Sequence, residues 1–284
     1  MNISAFVRLT RLEHALMLCA AVLIGEVIAL GGLPDPLFAL LSFFPPFFIE
    51  ISAFAINDYF DIGTDRLNKR MDRPLVSGEA KPGEALFISI ASLLIGVAAA
   101  YLINLPSFII ALAFGVLSLL YSYKLKDLPL IGNMYVAATM AIPFVFGNLA
   151  VSPAMSPAVM SLAYIAFVAG LGREILGTIR DMEGDMAGRR GTTLPTLMGK
   201  QCSLILASLL LLIAVLLSAI PFTSVAHFKG NLNYLIPVAI TDGLLLYVAV
   251  RAFGNSEEFL GQARTITLAA LAFGLVGFLL GALT

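Results

Sequence analysis

Residues 37–65 read LFALLSFFPPFFIEISAFAINDYFDIGTD. An apolar run over 37–56 gives way at once to Asn57, Asp58, Asp61 and Asp65. Carboxylates beside so apolar a stretch are costly unless they are solvated or bind cations. A second cluster, Asp181-Met182-Glu183-Gly184-Asp185, follows another long apolar stretch. Two such clusters at membrane-interface depth predict a site for a divalent metal ion and a polyanion.

The rest of the chain fits a membrane setting. Of 284 residues, 60% are hydrophobic and 12% charged, against about 25% charged in soluble domains. A spanning helix needs about 20 apolar residues. That rule places crossings near 12–31, 37–56, 85–104, 107–123, 130–150, 158–176, 202–221, 234–252 and 265–283. Helices are expected because backbone groups in lipid must be satisfied within the segment. Turn-forming residues mark the breaks, as at Gly31-Gly32-Leu33-Pro34 and Ser152-Pro153. The net charge of −1 gives no bulk field for nucleic acid, and none is expected as a partner. Cys19 and Cys202 lie in apolar segments without ligand spacing and imply no disulfide framework. No small-residue cleavage site follows Arg8 and Arg11, so no cleavable signal peptide is expected.

Basic residues set the orientation. In the nine-span arrangement, every one of the 17 Lys and Arg residues except Lys229 falls on one side. This predicts a multi-pass cell-membrane protein with a cytoplasmic N-terminus and an external C-terminus. Both acidic clusters then face the cytoplasm, after spans 2 and 6, which run in the same direction. Two parallel halves of four helices, plus one extra span, would each supply one acidic segment to a shared site. Asp61 and Asp65 recur as Asp181 and Asp185 at the same spacing.

Asn57, Asp61 and Asp65 line one face of a helix if span 2 continues past the membrane edge. Mg²⁺ takes hard oxygen ligands, usually one or two carboxylates plus phosphate and water. Facing carboxylate clusters therefore suit metal ions that bridge a diphosphate and make it a better leaving group. Arg66, Lys69, Arg70 and Arg73 follow the first cluster, Tyr121, Tyr123, Lys124 and Lys126 close span 4, and Arg173 precedes the second cluster. Arg holds phosphate in bidentate fashion, although positive-inside bias alone also accounts for bases here. Glu50, seven residues before Asn57, shares its helix face and is a candidate for acceptor binding or proton acceptance. Glu26 and Asp242 read as structural, and His14 as interfacial or an acceptor contact.

The string NDYFDIGTDRLNKRMDRPLVSG at 57–78 resembles the first signature of the UbiA superfamily of intramembrane prenyltransferases, NDxxDxxxD. RDMEGD at 180–185, with Arg189, Arg190 and Thr193-Leu194-Pro195, resembles the second, DxxxD. The resemblance covers essentially the whole chain. It implies a single all-α transmembrane prenyltransferase domain over 1–284, capped by cytoplasmic loops 57–84 and 177–201. It also implies a Mg²⁺-diphosphate site with Asn57, Asp58, Asp61 and Asp65 on one side and Asp181 and Asp185 on the other. Asp61, Asp181 and Glu50 are the catalytic candidates. Asn57, Arg66, Lys69, Arg73, Tyr121, Lys124, Lys126 and Arg173 are the substrate-binding candidates. The chain departs from the family pattern at Thr178, where many members carry an acid, and in the spacing of Tyr121, Tyr123, Lys124 and Lys126.

The loop pattern is most similar to the branch of the family that builds archaeal ether lipids. That implies geranylgeranyl diphosphate as the isoprenyl donor and the lipophilic acceptor geranylgeranylglyceryl phosphate, both held among membrane lipid. An aromatic acceptor of quinone synthesis is the rival within the family. A transporter, with Glu26, Glu50 and Asp242 inside spans, is the rival from another class.

Overall fold

The computed structural model describes residues 1–182, 192–253 and 257–284. Among them, nine helices are long and apolar enough to cross a membrane. A short helix α1 (Ile3–Thr10) precedes α2 (Leu12–Leu30) and α3 (Pro36–Leu67). A one-turn helix α4 (Pro74–Ser77) then leads to α5 (Pro82–Ile103) and α6 (Leu105–Tyr123). The 3-10 turn Leu125–Asp127 joins α6 to α7 (Ile131–Val151), which is followed by α8 (Pro157–Arg180). The short α9 (Leu194–Met198) leads into α10 (Lys200–Ser224), α11 (Leu232–Ala252) and α12 (Glu257–Leu283).

Local chemistry sets the helix ends. Asp35 caps α3, accepting from the N–H groups of Leu37 and Phe38 at 2.9 and 3.1 Å. Proline opens α3, α4, α5 and α8, where its missing N–H is no loss. Arg11 adopts left-handed φ 45 and breaks the chain between α1 and α2.

The predicted second span stops at residue 56, but α3 runs on to Leu67. The acidic cluster is therefore helical, and the segment expected as a loop from 57 begins as three turns of helix. The last span starts eight residues before the predicted 265, so Arg264 lies inside α12 and not in a loop. The neighbour relations α2–α3–α5–α6 recur as α7–α8–α10–α11, with α12 closing against α11, α8 and α2.

Large apolar side chains such as Leu94, Leu102, Leu216 and Ile236 face outward, as lipid contact requires. Inside, one apolar cluster joins Phe144, Phe228, Tyr234 and Phe278 of the α2–α7–α8–α11–α12 region. Buried polar groups pair across helices. Tyr234 donates to the Ser218 carbonyl at 2.8 Å, Ser218 Oγ to Asp242 at 2.7 Å, and Thr241 Oγ1 to the Ala270 carbonyl at 2.8 Å. Asp242 is thus held by a structural partner.

α2 and α7 cross almost backbone to backbone. A Cβ added at Gly147 would sit 2.0 Å from the Val22 carbonyl oxygen, and one at Gly25 would sit 2.2 Å from that of Phe144. Small residues at such crossings let transmembrane helices approach closely. Gly147→Val must force the pair apart, at a cost of about 1–3 kcal/mol or more. Thermal unfolding in detergent should show a clear fall in Tm for Gly147→Val. Gly243→Ala, where a Cβ meets nothing within 4 Å, should leave Tm unchanged.

Candidate active site

A cavity of about 350 Å³ opens at the end of the bundle that carries both acidic segments and runs down between α2, α3, α6, α7, α8 and α12. Its volume falls in the range of about 300–1,000 Å³ common for ligand pockets. Asn57, Asp61, Thr64, Asp65 and Asn68 line its mouth from α3. Asn57, Asp61, Asp65 and Asn68 step by four, four and three residues, one face of a helix, with Thr64 beside Asp65. Asp181 caps α8 and lines the mouth from the other side.

Cations lie among these acids. Lys126 Nζ is 2.5 Å from Asp61 Oδ1. Arg73 Nε lies 3.9 Å from Asp65 Oδ2. Arg180 forms a two-point contact with Asp181 at 2.7 and 2.6 Å. Arg70 reaches the mouth and binds Asp72 at 3.1 and 3.2 Å; this hydrogen bond holds the Asp72 carboxyl below its ordinary pKa. Tyr121 lines the same cavity and stacks on Tyr135 at 4.9 Å between ring centres. Deeper in, Glu50 sits on the wall near Tyr135, and past Phe144 the lining is Val238, Leu275 and Phe278 together with Ser218, Thr241 and Asp242. A smaller apolar cavity of about 50 Å³ lies against the same wall and shares Glu50, Tyr135 and Thr139 with the large one.

Asp58 departs from the expectation that it faces the metal. Its side chain is 0% exposed and accepts from Arg11 Nη2 and Arg73 Nη1, each at 2.8 Å. One residue on from Asn57 is a rotation of about 100° around the helix, which turns Asp58 off the cavity face. Arg66, Lys69 and Lys124 are exposed and do not line the cavity. Arg66 is rotated away from Asp65 by the same geometry, Lys69 lies past the helix end at left-handed φ 54, and Lys124 caps α6. Asp185 lies outside the described residues. The structure brings together Glu50, Asn57, Asp61, Asp65, Arg73, Tyr121, Lys126, Arg173 and Asp181. It adds Arg11, His14, Arg70, Arg180 and Arg264. At the departure point, Thr178 Oγ1 accepts from Asn133 Nδ2 at 2.6 Å, tying α8 to α7.

Among the described residues, no group of three or more His, Cys, Asp or Glu side chains is gathered to cage a metal ion. The donors on the cavity wall are hard carboxylate oxygens one turn apart, Asp61 and Asp65, with Asp181 facing them. That set fits Mg²⁺ bound jointly with phosphate oxygens and water rather than by protein alone.

The two roles of the acids separate by mutation. Asp58→Ala strips the counter-ion from two largely buried arginines, at a cost of about 3–5 kcal/mol. It should lower Tm sharply in a detergent melt. Asp61→Ala, on the cavity wall, should lower Tm far less.

The model of the UbiA prenyltransferase family matches residues 18–271. A protein of Archaeoglobus fulgidus named digeranylgeranylglyceryl phosphate synthase is 43% identical over 96% of this chain and 94% of its own length. A solved structure reported for structural and mechanistic insight into digeranylgeranylglyceryl phosphate synthase in membranes is 31% identical, with TM-score 0.75 over 98% of both chains. A UbiA homologue from Archaeoglobus fulgidus bound to GPP and Mg²⁺ is 22% identical, with TM-score 0.63 over 96% of this chain and 99% of its own, and shares the fold.

Proposed function

The chain belongs to the UbiA prenyltransferase family, and from that premise we propose that it transfers a geranylgeranyl group from geranylgeranyl diphosphate to a glycerol hydroxyl of geranylgeranylglyceryl phosphate. Membership makes it a prenyltransferase and retires the carrier reading. The observation that carries the proposal is the cavity itself. Acids and cations share its mouth, and large apolar side chains such as Phe144, Leu275 and Phe278 line its inner part.

When bound by Asp61, Asp65 and Asp181, with Asn57 alongside, Mg²⁺ would neutralise the donor diphosphate and so favour its departure. Lys126 and Arg73 stand where they can donate to phosphate oxygens. Lys126 is offered from the turn after α6, and Arg73 is held in place by Asp58. The apolar walls around Phe144 and Phe278 shelter the allylic carbon from water as it gains positive charge. Glu50, two helical turns below Asn57, is placed to take the proton of the attacking hydroxyl.

The relative at 43% identity over nearly the whole chain favours the lipid acceptor over an aromatic acid. The concentration of basic residues at the cavity end, with Lys229 in the turn before α11 at the other end, supports a cytoplasmic site and N-terminus with the C-terminus outside. In this reading the segment beyond α3, with Gly78 and Gly83 as pivots, caps the loaded site.

A transfer assay on purified protein in lipid tests this. Labelled geranylgeranyl diphosphate and Mg²⁺ would be offered with geranylgeranylglyceryl phosphate and, separately, with aromatic acids. Product with the lipid phosphate alone is expected; product with an aromatic acid alone would reject the acceptor assignment. EDTA should abolish turnover. Asp61→Ala and Asp181→Ala should each lower kcat by about 10²–10³-fold while the protein stays folded.

A further inference from the structure

Among the described residues, two cavity arginines have little to neutralise them. Arg173, on α8, lines the cavity with its side chain 11% exposed. Its nearest acid is Glu174, at 3.8 Å, and its buried Nε has no hydrogen-bond partner among the described residues. Arg264, on α12, lines the same cavity, and its charged neighbours among the described residues include Arg180, Arg11, Arg173 and Arg70. Three of those four are matched, Arg180 by Asp181, Arg11 by Asp58 and Arg70 by Asp72. Among the described residues, Arg173 has only its 3.8 Å contact to Glu174, and Arg264 has no carboxylate within ion-pair distance. His14, on α2 between the walls, is reached by the charges of both and stacks beside Phe54 at 5.4 Å.

Position separates this pair from the diphosphate cations. Arg73 and Lys126 lie against the carboxylates of α3. Arg173 and Arg264 sit on α8 and α12, which pack on each other and lie across the cavity from α3. Arg173 is eight residues before Asp181, or about 12 Å deeper along the helix. Arg173 therefore faces the level where the donor's reacting carbon would lie, below its diphosphate, and Arg264 lines the same side of the cavity.

We propose that Arg173 and Arg264, with His14 beside them, form a second anion site that holds the phosphate monoester of the lipid acceptor. This rests on the lipid-acceptor reading above. Two like charges kept in one cavity call for a dianion. A phosphate monoester carries about −1.5 to −2 near neutral pH, whereas a carboxylate carries a single charge and leaves one guanidinium unmatched. Guanidinium also binds phosphate through two parallel hydrogen bonds. Anchoring the headgroup on α8 and α12 leaves the glycerol hydroxyl facing the donor carbon on the α3 side. The site thus selects the acceptor and orients it.

Equilibrium binding in lipid nanodiscs with EDTA present tests the site apart from metal and donor. The wild type should bind geranylgeranylglyceryl phosphate, and geranylgeranylglycerol, which lacks the phosphate, far more weakly. Arg264→Gln and Arg173→Gln should each weaken binding of the phosphate lipid by about 10- to 100-fold. Arg264→Lys, which keeps the charge, should recover part of that loss. In turnover, Arg264→Gln should raise KM for the phosphate lipid and leave KM for geranylgeranyl diphosphate within about threefold. Melting temperatures near wild type would exclude misfolding, and Arg264→Lys carries the test should Arg264→Gln be unstable. Unchanged acceptor binding in folded Arg264→Gln, or a loss confined to the donor, overturns the second anion site. A wild type that prenylates an aromatic acid and ignores the phosphate lipid overturns the lipid-acceptor reading itself, and is seen before any variant is made.

Discussion

The Asp58 carboxylate, shared between Arg11 and Arg73, is the contact on which the site depends. It has no exposed surface, and each guanidinium reaches it at 2.8 Å. A carboxylate so placed is tolerable only when paired. The pairing fixes two pieces of chain on α3: the break between α1 and α2 at Arg11 and the start of α4 at Arg73. Arg11 keeps its flat face on Phe54 at 4.2 Å, and Arg73 turns its Nε toward Asp65. One buried anion therefore positions two cations on the cavity wall. Asp61 and Asp65, one and two turns farther along, remain at the cavity wall.

Much of this was legible in the sequence, because lipid makes the code coarse and strict. Apolar runs of spanning length gave the nine helices, and the lopsided basic residues gave one functional end. The spacing of Asn57, Asp61 and Asp65 placed them on one face once α3 was read as continuing, which the structure bears out to Leu67. Asp58 was harder. It belongs to the same motif, but a single residue step turns it to another side of the helix, and only the fold reveals the arginines waiting there. Arg66, Lys69 and Lys124 share composition and neighbourhood with Arg73 and Lys126 and differ only in direction. Direction at a helix end depends on where the helix stops, the least certain thing in a sequence.

Arg264 shows the same limit from the other side. Hydropathy began the last span at 265, because Glu257, Glu258, Gln262 and Arg264 dilute the apolar signal. The helix nevertheless starts at Glu257, and its cavity face runs Leu260, Arg264, Thr267, Leu271 and Gly274. A signal was present: Arg264 falls in register with that stripe. It was masked by treating a charged first turn as loop. A polar residue lying in register with an apolar face deserves the same weight as a motif, since in a membrane bundle charge is rarely left facing inward without use.

The cavity divides its labour by wall and by depth. Carboxylates crowd the mouth, where hydrated metal ions and diphosphate arrive from water. Phe144, Leu275 and Phe278 line the floor, beside the paired Ser218 and Asp242. Between them lie polar side chains that include Glu50, Tyr135, His14 and Arg173. An apolar floor discriminates poorly, since a methylene more or less changes binding by about 1–3 kcal/mol. Groups built to meet a specific charge reject the wrong one far more strongly, because a mismatch leaves buried polar atoms unpaired. Selectivity for the acceptor must therefore come from the charged wall rather than the hydrocarbon floor. Among the described residues the least matched charges on that wall are Arg173, with only a 3.8 Å contact to Glu174, and Arg264.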